Sequence, residues 1–161
     1  MHICPLRQLY SLLAEAGTAG IAAVISTSWE LPEPEKLRGI PYSCRQYRDI
    51  DFEGDGAFSA GDAAAFAGFI RQICDDSRIR TVYVCCDAAV SRSPAVWAAM
   101  ARYRGRADWD TVFQTPRYSP NMLVFRTLSE ALGMELTDEE CDELIYRSRK
   151  AFRDAIRSQN R

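Results

Sequence analysis

The pattern of hydrophobic and polar positions along the chain predicts alternating strands and helices. Two short apolar runs, at 21–26 and 81–85, have the length and β-branched content of buried strands. A third strand is predicted at 44–51, where CRQYRDID follows a loop that contains prolines. Strands buried on both faces are typical of parallel sheets, so the pattern predicts an α/β fold with a central, mostly parallel sheet flanked by helices.

Helical spacing of apolar residues marks the segments between and after these strands. The predicted helices cover 6–13, 59–74, 94–103, 107–113, 121–132 and 137–156. Ser59 is predicted to cap the second of these helices and Ser93 the third, while Thr137 opens a capping box for the last. Gly17 and Gly105 are positioned to end the first and third helices.

Length and composition predict one soluble domain spanning 1–161. The 161 residues are 47% hydrophobic and 26% charged, and the net charge is −2. This acidic balance argues against a general nucleic-acid binder, and no apolar run approaches the roughly 20 residues of a membrane span. We see no signal peptide in 1–16, and we expect a monomer without a membrane or nucleic-acid partner.

The cysteines indicate a reducing compartment rather than a disulfide scaffold or a metal site. The six cysteines are scattered without CxxC spacing: Cys4, Cys44, Cys74, Cys85, Cys86 and Cys141. His2 is the only histidine, and it lies at a terminus that we expect to fray. We therefore expect a cytoplasmic protein with no metal and no cofactor, and we disfavour a cysteine–histidine protease.

The segment between the predicted strand at 81–85 and the helix that begins near Ser93 carries the clearest chemistry. A tight loop at such a junction directs backbone N–H groups and the positive end of a helix dipole at one point, which suits an anion. These groups stabilise a thiolate at Cys86, and Arg92 offers a planar fork that matches two phosphate oxygens. A nucleophile, an anion cradle and a bidentate clamp are the equipment for phosphoryl transfer through a cysteinyl-phosphate.

The motif CCDAAVSRSPAV resembles the signature of cysteine-based protein tyrosine and dual-specificity phosphatases, His-Cys-x-x-Gly-x-x-Arg-Ser/Thr. Cys86, Arg92 and Ser93 match it, whereas Cys85 stands where that family has His and Ala89 stands where it has Gly. The resemblance covers 21–132 and implies a protein tyrosine phosphatase-like fold; the last helix, at 137–158, lies outside it.

The resemblance also implies roles for the residues of the loop. The amides of the loop would hold the phosphate, and they belong to Asp87, Ala88, Ala89, Val90, Ser91 and Arg92. Ser93 would stabilise the thiolate, and Cys85 would replace a histidine that helps to hold the loop. Pro120-Asn121 resembles the Pro-Asn that precedes a helix in the dual-specificity group. There Asn121 would brace the loop, while its residue type alone predicts a helix cap.

Phosphoryl transfer also needs a general acid to protonate the leaving oxygen. Asp49, Asp51 and Asp55 lie in the region where the family has an apolar residue, any residue and then Asp. The 47–49 segment, Tyr-Arg-Asp, fits that pattern best, so Asp49 leads and Asp51 follows, while Asp55 has the more compact spacing to Cys86. Each of these aspartates also fits a solvated acidic turn or a calcium-like cluster.

Two further segments have plain interpretations. The loop at 26–34, which contains Trp29, can rim an active site, but we interpret it as a connection. The basic residues of the last helix, Arg147, Arg149, Lys150, Arg153 and Arg157, are interpreted as a solvated face near a helix C-terminus.

These observations together predict a phosphatase that hydrolyses phosphate monoesters, with phosphorylated proteins ahead of small phosphate esters as substrates. Two alternatives stay open. A catalytically weak pseudophosphatase would bind phosphate through Arg92, and a rhodanese-type sulfurtransferase would also place a cysteine at the head of an anion-holding loop. Oxidation that joins or caps Cys85 and Cys86 is a further hypothesis.

Overall fold

The computed structural model describes residues 1–16 and 22–159. The strands are β1 (His2–Pro5), β2 (Ala22–Ser26), β3 (Tyr42–Cys44) and β4 (Thr81–Cys86). The α-helices are α1 (Leu6–Ala16), α2 (Ala60–Asp75), α3 (Arg92–Tyr103), α4 (Met122–Ala131) and α5 (Asp138–Gln159). Short 3₁₀ turns occupy Pro34–Leu37 and Thr111–Phe113.

The four described strands form one sheet in the order β1-β4-β2-β3, and every described pairing is parallel. The prediction of an α/β fold with a parallel sheet and flanking helices is confirmed. The central pair, β2 and β4, is in register from Ala22 opposite Thr81 to Ser26 opposite Cys85. Because parallel strands end at the same edge, the loops that follow β2 and β4 leave the sheet side by side.

Alternate residues of the two central strands enter two separate apolar clusters. Ile25 and Val84 belong to the larger cluster, which includes residues of α2, α3 and α4. Val24 and Cys85 belong to the smaller cluster, which includes residues of α1. This two-sided burial explains why the strands read as continuous apolar runs rather than as an alternating pattern.

The structure differs from the prediction at three elements. The strand expected at 44–51 ends at Cys44, and the chain then turns back on itself through a 2.7 Å hydrogen bond from the Arg48 N–H to the Gly56 carbonyl. The helix expected at 107–113 is reduced to the 3₁₀ turn Thr111–Phe113. Strand β1 was not predicted, and its residue His2, expected to fray, is paired with Tyr83 and stacked on its ring.

The predicted helix ends are mostly confirmed. Ser59 caps α2 in a capping box with Asp62, and Thr137 forms the corresponding box with Glu140 at the start of α5. Gly105 follows the end of α3 with φ +65°, a conformation that glycine adopts without a steric penalty. The Gly17 prediction, like the first residue of the 21–26 run, lies outside the described residues.

Within the described part of the chain, no helix combines the length and apolar character needed to cross a membrane.

Candidate active site

The thiol of Cys86 is buried at the end of β4, where a backbone N–H and a hydroxyl group from the following residues lie within hydrogen-bond distance of it. The Ala89 N–H donates to Cys86 Sγ over 3.1 Å, and the Ser93 hydroxyl oxygen lies 3.1 Å from the same sulfur. Ser93 was expected to cap α3, but it lies inside the first turn, after the N-cap residue Ser91. Its hydroxyl is therefore directed at the thiol instead of at the helix N-terminus.

Ala89 is held in the left-handed region of backbone conformation, with φ +58°. It is the one non-glycine residue with positive φ among residues 1–16 and 22–159. The resemblance places a glycine at this position, and glycine adopts positive φ without the clash that a Cβ causes. The strained conformation turns the Ala89 N–H toward the sulfur, so the loop retains the backbone path with an alanine.

Two carbonyl groups of the loop accept hydrogen bonds from neighbouring segments. The Val90 carbonyl accepts a 2.9 Å hydrogen bond from the Ser119 N–H. The Ser91 carbonyl accepts bonds from the N–H groups of Ala95 and Asn121. Since these acceptors are used by the neighbouring helix and loop, they do not compete with an anion placed over the thiol.

The guanidinium of Arg92 is buried beside the thiol, and two backbone carbonyls fix one of its nitrogens. Nη1 donates to the Thr27 carbonyl over 2.8 Å and to the Tyr47 carbonyl over 3.2 Å. Nη2 pairs with the carboxylate of Asp87. Burial disfavours the charged form of Arg92, but the hydrogen bond to Asp87 and its negative charge favour that form more strongly. The pKa of Arg92 is therefore raised above its ordinary value. The guanidinium is thus fixed and charged.

The remaining donor of Arg92, Nε, has no hydrogen-bond partner although the atom is buried. Its nearest carboxylate oxygen is Oδ2 of Asp49, at 3.6 Å, which is beyond hydrogen-bond distance. A buried donor without a partner costs about 1–3 kcal/mol, so it marks a place where a ligand acceptor is expected.

Asp87, the first residue of the loop, ties three segments together. Its Oδ1 accepts from the Ser28 hydroxyl and, over 3.1 Å, from the Trp29 N–H, while its Oδ2 pairs with Arg92. Burial disfavours the charged carboxylate, but the hydrogen bonds from Ser28 and Arg92 more than offset it, and the pKa of Asp87 is lowered. The carboxylate therefore stays ionised and neutralises part of the charge of Arg92.

Asp49 is positioned by a buried tyrosine two residues before it. Tyr47 is buried in the larger apolar cluster and packs on Phe58, with ring centroids 4.7 Å apart. The apolar-x-Asp pattern thus has a structural meaning: Tyr47 anchors the segment, and Asp49 emerges at the edge of the site. Oδ1 of Asp49 accepts from the Ser91 hydroxyl over 2.8 Å.

Asn121 combines the two roles expected of it. Its Oδ1 accepts from the Val124 N–H over 2.9 Å and so caps α4. Its backbone N–H reaches the Ser91 carbonyl, and its Nδ2 donates to Oδ1 of Asp49 over 2.9 Å. The same residue therefore braces the loop and holds the carboxylate through Oδ1, while Oδ2 of Asp49 lies 3.6 Å from Nε of Arg92.

The structure brings Asp49, but not the other two aspartates, into contact with the loop. Asp51 lines a cavity together with Ser119 and Met122, and no described contact joins it to the thiol or the guanidinium. Asp55 is exposed in the turn before Gly56.

Cys85 lies on the opposite side of the sheet from the site. It is buried in the smaller apolar cluster, and its S–H points to the Ile25 carbonyl, with Sγ 3.7 Å from the oxygen. Burial raises its pKa to about 12. Cys85 therefore packs the core on the side of α1, and it does not reach Cys86 as a hydrogen-bonding substitute for the family's histidine.

The loop after β2 contributes to the site, although the sequence favoured a simple connection. Thr27 supplies a carbonyl to Arg92, and its own N–H and hydroxyl donate to the Cys85 carbonyl. Ser28 and Trp29 bind Asp87. The available signal was topological: a polar loop that follows a strand adjacent to β4 at the carboxyl edge of the sheet.

The arrangement can bind and attack a tetrahedral anion. It supplies a buried sulfur beside an N–H and a hydroxyl group, a fixed cation whose buried Nε has no hydrogen-bond partner, and a carboxylate at the rim. Among residues 1–16 and 22–159, no cluster of three or more His, Cys, Asp or Glu side chains is arranged to hold a metal ion.

No model of a known protein family matches the sequence, and no curated protein matches it. Solved structures do match. Human DUSP28 is 16% identical, with 98% of this chain and 93% of that chain covered and a TM-score of 0.49. A mouse protein proposed to be a dual specificity phosphatase, complexed with zinc tungstate, is 16% identical over 94% of this chain and 83% of that chain, with a TM-score of 0.49.

Tk-PTP in the active form is 17% identical, with 91% of this chain and 88% of that chain covered and a TM-score of 0.45. The matched proteins are dual-specificity and tyrosine phosphatases, the group that the motif around Cys86 resembles. Identities below 20% and TM-scores below 0.5 do not carry activity or substrates over to this chain. The functional proposal therefore rests on the contacts of the site.

Proposed function

We propose that the protein is a cysteine-dependent phosphatase that hydrolyses phosphate monoesters, foremost those on tyrosine, serine or threonine of proteins. The observation that carries the proposal is the Nε of Arg92, a buried donor without a hydrogen-bond partner, near a thiol that accepts from the Ala89 N–H and is hydrogen-bonded to the Ser93 hydroxyl. A phosphate seated there gives that donor an acceptor and meets the loop amides at the N-terminus of α3.

In the first step the thiolate of Cys86 attacks phosphorus, and an S–P bond forms as the bond to the ester oxygen breaks. Arg92 and the loop amides hold the three non-bridging oxygens, whose charge they stabilise. Asp49 donates a proton from Oδ2 to the leaving oxygen, so that an alcohol or phenol departs rather than an oxyanion. The carboxyl becomes a carboxylate, ready for the next step.

In the second step Asp49 takes a proton from a water molecule whose oxygen attacks phosphorus. The S–P bond breaks, inorganic phosphate leaves and the electron pair returns to Cys86. The Ser93 hydroxyl, 3.1 Å from the sulfur, stabilises the thiolate as it departs. Asp49 regains its acidic form, and the enzyme is restored.

One contact favours a second candidate, the phosphate-binding pseudophosphatase. The carboxylate of Asp87 occupies Nη2 of Arg92, one of the donors that a phosphate would use. The Asp87 carboxylate therefore competes with a substrate phosphate for Arg92. Together with the strained backbone of Ala89, this competition weakens binding of the transition state and favours slow turnover.

The test is the hydrolysis of p-nitrophenyl phosphate with and without vanadate. The parent is expected to turn over the ester and to be inhibited by vanadate, while Cys86→Ser and Arg92→Ala lose activity by at least about 1,000-fold. Asp49→Asn should lower kcat by about 100-fold or more. Asp51→Asn is the matched control and should remain near the parent.

The other outcomes separate the alternatives. Turnover that survives Cys86→Ser contradicts the covalent mechanism. Vanadate binding without turnover selects the phosphate-binding module, and formation of thiocyanate from thiosulfate and cyanide selects the sulfurtransferase. Loss of activity in Asp51→Asn but not in Asp49→Asn would transfer the acid to Asp51.

A further inference from the structure

A groove runs from the phosphate-binding loop to the outer face of α5. Its volume is ≈ 440 Å³, and its apolar lining includes Val90, Pro116, Tyr118 and Phe152. Val90 and Phe152, both apolar, are 42% and 58% exposed and lie in the same groove. Because Val90 belongs to the loop that follows Cys86, the groove begins at the candidate active site; we call it the Val90 groove.

The charge of the Val90 groove is unbalanced. Arg149 and Arg153 line it, and no Asp or Glu is among its lining residues. Among the described residues, neither arginine has a carboxylate within salt-bridge distance. Arg117 adds a further cation, with its guanidinium carbon 5.4 Å from the centroid of the Tyr118 ring.

The neighbouring cations of α5 differ in this respect. Arg147 pairs with Glu143 and Asp110, and Lys150 pairs with Asp154. Positive charge therefore remains unpaired at the Val90 groove, in a chain whose net charge is −2. The sequence had favoured a solvated face for these basic residues, whereas the structure pairs Arg147 and Lys150 with carboxylates and places Arg149 and Arg153 in the groove lining.

The groove is also fixed in position relative to the thiol. The Ser119 N–H donates to the Val90 carbonyl over 2.9 Å, which ties the wall formed by 116–119 to the phosphate-binding loop. A segment of chain lying in the groove is thus held at a defined distance from a phosphate bound above Cys86.

We propose that the Val90 groove binds the residues that flank the phosphorylated position of a protein substrate, and that this flank is acidic and apolar. An apolar side chain covers Val90 and Phe152, and carboxylates pair with Arg149 and Arg153. The proposal rests on the proposed function, since it names the substrate class of the same site. A concave groove of this size suits one extended segment, and its unpaired cations supply the charge complementarity.

The experiment compares phosphotyrosine peptides of equal length whose flanks on both sides contain Glu with Leu, or Lys with Leu. For each peptide, kcat/KM is divided by the value for p-nitrophenyl phosphate measured on the same protein. We expect this ratio to favour the Glu peptide by about tenfold, since two exposed ion pairs, each of modest strength, form with Arg149 and Arg153. The preference should fall in Arg149→Glu and Arg153→Glu and reverse in the double variant.

Arg157→Glu is the matched control, because it makes the same charge change on the same helix at a position that does not line the groove. Its peptide preference should equal that of the parent. Binding of the same peptides, labelled with a fluorophore, to the Cys86→Ser variant measures the preference without turnover.

These two readouts separate the proposals. Equal ratios for the Glu and Lys peptides, or an effect of Arg157→Glu as large as that of Arg149→Glu, overturn the groove while leaving a phosphatase. A preference in binding by a protein that hydrolyses no ester supports the groove and overturns the phosphatase. Binding to phosphatidylserine vesicles that requires Arg149 and Arg153, with no preference among peptides, overturns the proposal in favour of a membrane surface.

Discussion

Ala89 gives the sharpest test of the loop geometry, because its backbone conformation and its burial oppose each other in a glycine variant. The residue has φ +58° and is 5% exposed. Ala89→Gly removes the Cβ from a left-handed conformation and also removes a buried methyl group. The free energy of unfolding therefore changes by the difference between the relief of backbone strain and two costs, which are the lost methyl burial and the greater backbone entropy of unfolded glycine.

The three contributions nearly cancel. Release of the left-handed conformation favours the folded variant by about 1–2 kcal/mol. Loss of the buried methyl costs about 0.8 kcal/mol. The greater backbone entropy of unfolded glycine costs about 0.4–1 kcal/mol. The free energy of unfolding of Ala89→Gly should thus lie within about 1 kcal/mol of the parent value.

Ala67→Gly is the matched control, since Ala67 is fully buried in the middle of α2 and has helical geometry. It loses a methyl of the same size without any relief of strain. Glycine in a helix interior costs about 0.5–1 kcal/mol, so this variant should lose about 1.5 kcal/mol in total. Urea unfolding of the parent and both variants, extrapolated linearly to water, measures the difference.

The comparison refutes the reasoning if the two variants lose the same stability. Equal losses mean that Ala89 carries no left-handed penalty, and the backbone path that directs its N–H at Cys86 would then be wrong. A loss in Ala89→Gly larger than that in Ala67→Gly would have the same consequence.

Three further predictions follow from the contacts of the site. Ser93→Ala should lower kcat for p-nitrophenyl phosphate by about 10- to 100-fold, because one hydrogen bond to the departing thiolate is lost. A burst of p-nitrophenol should appear as the cysteinyl-phosphate accumulates. A single-phase time course with unchanged kcat would contradict this prediction. Because folding lowers the pKa of Asp87, its ionised carboxylate stabilises the folded state. This contribution is fully present above the unfolded pKa of about 3.9 and is lost as pH falls through the lower folded pKa. In Asp87→Asn, the free energy of unfolding measured with urea should therefore decrease less steeply below about pH 4 than in the parent. An equally steep decrease would refute the contribution of Asp87. Mild peroxide should inactivate Cys85→Ala as fast as the parent, with the same recovery by dithiothreitol, because Cys85 faces the opposite side of the sheet with a pKa of about 12. A difference in recovery between Cys85→Ala and the parent would support oxidation that joins or caps Cys85 and Cys86.

The parts of the site that sequence predicted are those that lie close together in the chain. Cys86, the loop and Arg92 span seven consecutive residues, so a short strand before them and a helix after them suffice to fix the path. The resemblance of the Tyr47-Arg48-Asp49 segment to the family's apolar-x-Asp pattern favoured Asp49 over the two later aspartates. Apart from that resemblance, no local pattern distinguished Asp49 from Asp51, since both are exposed acidic residues in one polar segment.

The contacts that the sequence missed join segments far apart in the chain. Ser28 and Trp29 bind Asp87 across 59 and 58 positions, and Thr27 binds Arg92 across 65. These contacts depend on β2 lying directly beside β4, which the order of strands in the sheet decides. Likewise, whether an arginine of α5 forms an ion pair depends on which carboxylates the fold brings close to it.

The sequence alone determined the α/β class, the βα junction at Cys86 and most helix ends, since hydrophobic period, turn residues and caps act within a few positions. Tertiary structure alone decided which loop faces Arg92, which aspartate Asn121 holds, which way Ser93 and Cys85 point, and where positive charge remains unpaired. The physical reason is that periodicity fixes which face of an element is buried, whereas strand order and helix packing fix what that face meets.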